Sequence, residues 1–378
     1  VPNASEIAIL AINGRQYSGW TSIMVRRAYG ASCSDFEFAS VQPIGSSLDF
    51  SNWKIAPHDS CAIQLGGILA FTGFVFVRQS AFNATRRGLI ITGRSLTADA
   101  VDSSASVDGG QFKGYGFQAL AGALAKQAGV NLVIKGSSPN LSQPFPQFSI
   151  AWGETIFSAV ERLARMRGLH LTDNANGDWV ADVFTPGDPL AGQLIEGRNL
   201  LEARASVDGT NSFNIVNIAA QRPGNDQVKG NSTRDNSASV SNPAIRASRR
   251  LMMLMEEPGS SQDCAARANM ELAQRATDLV DCHCVVQGWQ STPGVLWDIR
   301  KNYSVKSPTL DLDNYKLTSR EVKYTQSSES GTRTEINLCT SQSLAFAGTN
   351  ISPTAQPGEP AYSQGTPSQG ATPDQPDN

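Results

Sequence analysis

DCHCVVQGWQ, residues 281–290, sets two cysteines on either side of a histidine. Read as a cluster, it is a metal site and points to an enzyme or a zinc-bound module. Read as a β-strand, it is part of a building block. Side chains on a strand alternate between faces, so Cys282 and Cys284 share one face and His283 takes the other. Three consecutive residues in that geometry cannot converge on one tetrahedral ion. A structural zinc would need further ligands, typically a second cysteine pair at short spacing. The nearest candidate, Cys264, starts the preceding helical stretch and has no such partner. Free cysteine is also among the most buried residue types. The strand reading prevails, and no metal ligand is assigned.

The rest of the chain must then be read for strands. EIAILAINGRQYSGWTSIMVRR (6–27) places Asn13-Gly14 between two alternating runs, the strongest short hairpin signal. CAIQLGGILAFTGFVFVRQ (61–79) and RGLIITGRS (87–95) are rich in β-branched and aromatic residues. A closed or nearly closed barrel is the natural way to remove the edges of such a sheet. From about residue 110 the period becomes helical: Phe117, Leu120, Ala121, Leu124, Ala125 and Ala128 recur, with Gly129 placed as the C′ residue and VNLVI following. The unit repeats with Ile156, Phe157, Val160, Leu163 and Ala164, then Gly168, then LHLTD. Glu154 is expected in the first turn of that second helix and Glu161 is expected to pair with Arg165. NANGDWVADV (174–183) adds a turn and a strand.

Strands resume at SFNIVNIAA (212–220), followed by a polar loop or irregular hairpin over 221–243. RRLMMLMEE (249–257) reads as a buried strand. A helix is expected over 263–279, with Ala265, Ala268, Leu272, Ala276 and Leu279 on one face. CHCVVQGW, LWDIRKNYSVKS, KLTSREVKYTQ and RTEINLCT are four further strand candidates. The residues after 345 are Pro, Gly, Ser and Gln rich and cannot bury enough surface to offset ordering, so a flexible tail is expected. The expected organisation is a first β-barrel-like domain at 1–105 and an α/β insertion of two helix–strand units at 106–190. A second β-barrel-like domain with one helix follows at 191–345, and the tail at 346–378.

Composition narrows the function. Lys plus Arg is 31 and Asp plus Glu 34, a net charge of −3, which argues against a dedicated polyanion binder. Six scattered cysteines in 378 residues are too few for a disulfide framework. The longest apolar stretch, GGILAFTGFVFV (66–77), falls short of the roughly 20 residues a spanning helix needs. No basic leader before an apolar segment is visible, so a soluble protein made in the cytoplasm is expected. His170, between Leu169 and Leu171, is expected to face solvent, and His58 sits in a polar turn. HExxH and G-x-S-x-G do not occur. Gly114-Tyr115-Gly116 opens a helix, but it lacks the preceding buried strand and the later acid of a dinucleotide fold. Gly19-Trp20 and Gly288-Trp289 are read as core plugs at strand edges. No catalytic, cofactor-binding or metal-binding residue is assigned.

Three blocks carry a resemblance. They are IQLGGILAFTGFV (63–75) followed by GLIITGRSLTADAVDSSA (88–105), then FPQFSIAWGETIFSAVERLARMRGLHLTDNANGDWV (145–180), then GWQSTPGVLWDIRKNYSVKSP (288–308). In this order, over about residues 8–342, the chain resembles the baseplate hub protein of Mu-like contractile-tailed phages, which is similar to the hub of T-even phages. It departs in the 221–243 loop, at Tyr115-Gly116 and in the tail.

The resemblance implies a mainly β fold with an α+β insertion and two similar barrel-like domains per subunit. Three subunits would arrange these domains as a pseudo-six-fold ring in a homotrimer. It further implies an adaptor, in the tail baseplate of the virion, between a hexameric tail tube and a trimeric membrane-piercing spike. The implied partners are the tube or a tube-proximal baseplate protein, the spike, and other baseplate proteins. DNA would leave through a central channel without specific binding, with no membrane insertion, no cofactor and no enzymatic activity. The alternative is a baseplate-associated cell-wall hydrolase acting through Asp or Glu. The strand reading of 281–290 has a direct test: elemental analysis of the purified protein is expected to find no stoichiometric zinc. One zinc per chain, lost in Cys282→Ser/Cys284→Ser, would sink it.

Overall fold

The computed structural model describes residues 4–29, 31–45, 53–106, 110–136, 141–145, 147–167, 169–182, 189–220, 234, 236–255, 261–277 and 280–340. They fall into two compact units. The first takes residues up to 211 together with those from 269, and the second lies within 212–268. The tail at 346–378 and most of the 221–243 segment lie outside the described residues.

The first unit begins with β1 (Ala8–Ile12), β2 (Arg15–Tyr17), β3 (Ser22–Ala28), β4 (Asp35–Pro43), β5 (Ser60–Leu65), β6 (Ile68–Phe82) and β7 (Arg86–Ser95). Asn13 and Gly14 both take positive φ, 48° and 78°, as the two-residue turn between β1 and β2 requires. Alternation does the packing: Ala8, Leu10 and Ile12 of β1 are buried, as are Phe36 and Phe38 of β4. The strand order is β3-β4-β7-β6-β5-β1-β2. Gly93 of β7 is fixed by close approach, since a Cβ there would lie 2.4 Å from the Phe36 ring and 2.2 Å from the Phe74 carbonyl oxygen.

The insertion carries α1 (Ala98–Asp102), β8 (Gln111–Phe112), α2 (Phe117–Gln127), β9 (Leu132–Lys135), β10 (Phe148–Ser149), α3 (Ile156–Met166), β11 (His170–Asp173) and β12 (Trp179–Asp182). α2 and α3 bury the stripes read from the sequence, except that Ala128 and Phe157 are only half-buried. The two stripes share a core with the fully buried Trp179. α2 ends in a Schellman motif: the Gly129 N–H donates to Lys126 and the Val130 N–H to Ala125, with Gly129 at φ 68°. After α3 the Leu169 N–H donates to Ala164 in the same way, while Gly168 lies outside the described residues. One expectation is corrected here. Glu154 is not in the first turn of α3; Thr155 is the N-cap, its hydroxyl accepting from the Ser158 N–H at 3.1 Å. β12 lies between β11, antiparallel, and β9, parallel.

The remaining elements are β13 (Leu190–Ile195), β14 (Leu200–Val207), β15 (Ile215–Ala219), β16 (Ser237–Ser241), β17 (Arg250–Leu254), α4 (Ser261–Thr277), β18 (Val280–Gln287), β19 (Gln290–Thr292), β20 (Val295–Leu296), β21 (Asn302–Ser307), β22 (Leu312–Ser327) and β23 (Gly331–Thr340). β22 organises them. One edge pairs with β23 along its length; the other pairs with β21 up to Thr318 and with β3 from Glu321 onward. A register shift between Ser319 and Glu321 marks the change of partner. One 13-stranded sheet therefore runs through both β-regions. The edge of β3 that a closed first barrel would need is occupied by β22, and among the described residues β2 pairs only with β1.

In the second unit β15 is the centre of a three-stranded sheet with β16 and β17 at its edges. The polar segment ends in a true hairpin strand, β16, antiparallel to β15. β17 is not buried: Arg250, Met252 and Leu254 are exposed on one face. An apolar run with period-2 exposure cannot be told from a buried strand by composition alone. α4 is also turned from its expected face: Cys264, Ala268, Met270 and Glu271 are buried, while Ala265 and Leu272 are half-buried. Ala276 and Leu279 lie outside what is described.

Two glycines test the packing account. Gly93→Ala is expected to destabilise by about 2 to 3 kcal/mol through overpacking between β4, β6 and β7. Gly122, inside α2 with nothing within 4 Å of an added Cβ, is the control. Gly122→Ala is expected to stabilise by about 0.5 to 1 kcal/mol. Urea denaturation of both variants checks the pair.

Candidate functional site

The residues singled out in the sequence do not converge. Cys282 and Cys284 are buried in β18 with their Sγ atoms 3.7 Å apart, while His283 faces the other way and meets Asn337 Oδ1 at 2.7 Å. The hydrogen bond with Cys282 and burial both push the Cys284 thiol well above its ordinary range, which keeps it a thiol. Among the described residues no three His, Cys, Asp or Glu side chains are grouped to hold a metal ion. His58 is exposed in its turn. Gly114 (φ 74°) shapes the loop into α2 and Gly116 is that helix's N-cap. Trp289 is a core plug, 1% exposed and donating to the Thr325 carbonyl. Trp20 is half-buried between Phe38 and Trp53.

One reading needs correction. His170 does not face solvent: its ring packs on Tyr29 at 4.9 Å, and burial pushes its pKa down to about 3. The arginines at 162, 165, 167 and 249 are engaged within the chain. Arg162 pairs with Glu154 and stacks on Phe148, and Arg165 pairs with Glu161. Arg167 lies 3.8 Å over Phe145 and Arg249 lies over Phe213.

What the fold does bring together is a set of charged residues no motif announced. Arg27 of β3 is buried and meets Asp298 at 2.7 Å, in the turn before β21. Its guanidinium also reaches the Asp173 carbonyl of β11 at 3.4 Å. Desolvation opposes the Arg27 charge, but Asp298, Tyr324 and Asp173 outweigh it, so its pKa lies above the ordinary value. Asp173, 2% exposed, accepts from the Ser34 N–H at 2.8 Å and the Ser34 hydroxyl at 2.6 Å. Asp182, fully buried, pairs with Arg300 and accepts from the Tyr29 hydroxyl at 3.3 Å. Burial first, and Asp182 second, raise the Tyr29 phenol well above its usual range. The Tyr324 hydroxyl of β22 donates to the Trp297 carbonyl. The Tyr29 N–H donates to Arg320 at the β22 register shift.

Such a cluster of perturbed groups is where catalysis would be sought. Its geometry argues otherwise. A general acid or nucleophile must reach substrate, yet Asp173 and Asp182 are enclosed, with both Asp173 oxygens accepting from Ser34 and Asp182 Oδ2 facing Arg300 and the Tyr29 hydroxyl. The arrangement clamps β3, the insertion strands β11 and β12, and the β20–β22 region to one another. The sequence reading missed it because each charge ends a strand or sits in a turn, where solvent is the ordinary expectation. The one signal was Asp298 inside the otherwise apolar VLWDI block, with Arg300 directly after it.

Within the first unit, then, one β-sheet is shared by two strand regions and is tied to an α/β insertion. Residues 7–95 match the family described as Mu phage baseplate assembly protein GpP-like, N-terminal, and residues 97–181 match Baseplate hub protein gp44-like, second domain. The junction of the two matches falls between the end of β7 at Ser95 and the start of α1 at Ala98. The chain is similar to baseplate hub protein gp44 of Escherichia phage Mu, 24% identical over 338 residues and 88% of each chain. The 43 kDa tail protein of prophage MuSo2 from Shewanella oneidensis shares the fold at TM-score 0.77 and 23% identity, over 90% of this chain and all of that one. So does E. coli c3393, at TM-score 0.54 and 9% identity, over 87% of this chain and 76% of that one. It is described as a type VI secretion component with structural similarity to T4 tail proteins gp27 and gp5. The resemblance to Mu-like baseplate hub proteins drawn from the three sequence blocks is thereby shown.

His170 gives the clamp a pH signature. The unfolded chain titrates this side chain near 6.5, the folded one at about 3, so the unfolded state takes up the proton first. The stability that depends on neutral His170 is present in full above pH 6.5 and is lost as the pH falls from there toward 3. At pH 5 the loss is about 2 kcal/mol. Denaturant midpoints at pH 7.5 and 5.0 are expected to show wild type losing more than His170→Phe by about that amount. Parallel losses would exclude the assignment.

Proposed function

We propose that this chain is the baseplate hub of a contractile phage tail, a homotrimeric adaptor. It joins the hexameric tail tube, or a tube-proximal baseplate protein, to the trimeric membrane-piercing spike. The observation that carries this reading is the match of residues 7–95 and 97–181 to two consecutive baseplate domains, inside a similarity to the Mu hub that runs through 88% of the chain. The structural similarity of c3393 to the T4 tail proteins gp27 and gp5 supports placing this fold in a tail assembly.

Symmetry explains the form of the adaptor. A three-fold protein can meet a six-fold tube flush only if each subunit offers two near-equivalent surfaces. In this reading residues 1–105 and 191–345 supply one barrel-like domain each, alternating in a pseudo-six-fold ring, with 106–190 outside it. DNA leaves through the central channel without being gripped. The net charge of −3 supplies no surplus cations, and Arg162, Arg167 and Arg249 are committed within the fold. The protein acts in the virion's tail baseplate, is made in the host cytoplasm, does not insert in the membrane and is not an enzyme. The cell-wall hydrolase alternative gains nothing from the enclosed Asp173 and Asp182, and zymography on peptidoglycan is expected to stay blank.

Light scattering of the purified chain is expected to give three times the 40.3 kDa chain mass. A monomer or a dimer at micromolar concentration would remove the symmetry argument.

A further inference from the structure

Residues 77–87 are all exposed, although β6 and β7 are paired through them. The pairing is regular out to Phe82 opposite Arg87, and β4 adds a third strand with Val41 opposite Gly88 and Pro43 opposite Arg86. The tip is closed by Asn83, whose side-chain oxygen accepts from the Thr85 and Arg86 N–H groups at 3.0 and 2.8 Å. This is a well-formed β-arm, yet neither face of its tip is buried. A sheet in a soluble protein normally covers one face. Val41, Ile44, Val77 and Phe82 are 48%, 45%, 42% and 85% exposed. The arm is also wholly basic: Arg78, Arg86 and Arg87 lie on it, and no Asp or Glu occurs between Asp59 and Asp99.

A second surface has the opposite character. Among the described residues β14 ends the large sheet, its ladder running only to β18 apart from a single bridge between Leu200 and Glu196. Leu201 and Val207 are 51% and 71% exposed, and Glu202 and Asp208 are exposed beside them. Glu196 and Asp281 add two more acids, so Arg198 and Arg204 leave this end net acidic. Hydrogen bonds from Thr210 hold the Asp208 carboxyl below its ordinary range, which keeps it charged.

We propose that the β6–β7 arm of one copy docks along β14 of a second copy, with Val77 and Phe82 of the arm spread over Leu201 and Val207, about 20 Å apart, and the arginines against Glu202 and Asp208. The apolar side chains of the arm find no complement in a nucleic-acid backbone, which takes cations. A second copy supplies both partners, since setting the three arm arginines aside takes the chain's net charge from −3 to −6. Two different surfaces meeting head to tail generate a ring when the rotation closes. The inference thus rests on the trimeric reading above and deepens it by naming the contact.

The test compares the light-scattering mass of three full-length chains across a dilution series, with circular dichroism as the check on folding. They are wild type, Phe82→Ser/Arg86→Glu/Arg87→Glu, and that variant with Glu202→Arg/Asp208→Arg added. Wild type is expected as a trimer, the arm variant as a folded monomer associating about a hundredfold more weakly, and the charge swap as a partly restored trimer. A monomeric wild type refutes the trimeric reading itself. A trimeric wild type with an equally stable arm variant overturns the arm contact alone, and dissociation without restoration overturns β14 as its receptor. Because a variant can fail to fold, p-benzoylphenylalanine in place of Phe82 provides a second readout. Intersubunit cross-links to residues 200–208 are expected, and cross-links elsewhere, or none, overturn the proposal. A DNA retardation present in wild type and lost in a still-trimeric arm variant would assign the arm to nucleic acid instead.

Discussion

Everything in the larger unit hangs on β22 having two partners along one edge. Up to Thr318 that edge belongs to β21; from Glu321 it belongs to β3, and the register slips between Ser319 and Glu321. An irregularity in a strand locally bends and twists it, which allows one strand to leave one sheet region and enter another. The carbonyls at the slip are still used: Arg320 accepts from the Tyr29 N–H and Ser319 from the Arg300 N–H. The two β-regions are joined by main-chain hydrogen bonds, which depend on backbone position and not on any particular side chain.

The side chains at that junction add what a backbone ladder lacks, namely direction. Arg27 and Asp182 are charges held away from water, paired with the half-buried Asp298 and Arg300, and a buried charge tolerates little misplacement because leaving it unpaired is costly. Tyr29 extends the constraint to β12 through Asp182, and Ser34 extends it to β11 through Asp173. Thr72 of β6 reaches the Ala175 carbonyl at 2.8 Å, a further tie between the first strands and the insertion. Strand pairing sets the distance between elements and the ion pairs set their angle.

Much of this was legible in the sequence where local chemistry decides the outcome. Asn13-Gly14, the α2 stripe ending at Gly129, and the strand alternation at Cys282, His283 and Cys284 are short-range patterns, and the fold honours each. What could not be read depends on distant neighbours. His170 alternates with two leucines, so period 2 sends it outward, but Tyr29, just past the end of β3, covers that face. The exposure of Met252 and Leu254 reflects β17 lying at a sheet edge, which composition does not encode. The ion pairs of the junction join residues far apart in the chain, and no spacing rule connects Arg27 with Asp298.

The edge of β3 that pairs with β22 has a consequence for how the protein comes into being. Ala28 of β3 pairs with Glu321, so the strand is finished early in synthesis and its partner is nearly the last part of the chain to be made. At ordinary elongation rates of about 5 to 20 residues per second, the wait is roughly 15 to 60 s. For that time the nascent protein carries an unsatisfied strand edge with Ile23 and Val25 on it, a template for pairing with the wrong chain. Arg26 and Arg27 stand on the same strand. Two adjacent charges are an effective deterrent to such pairing, and one of them later becomes the buried partner of Asp298. The residue that locks the finished molecule is also one that keeps the unfinished one apart from its neighbours.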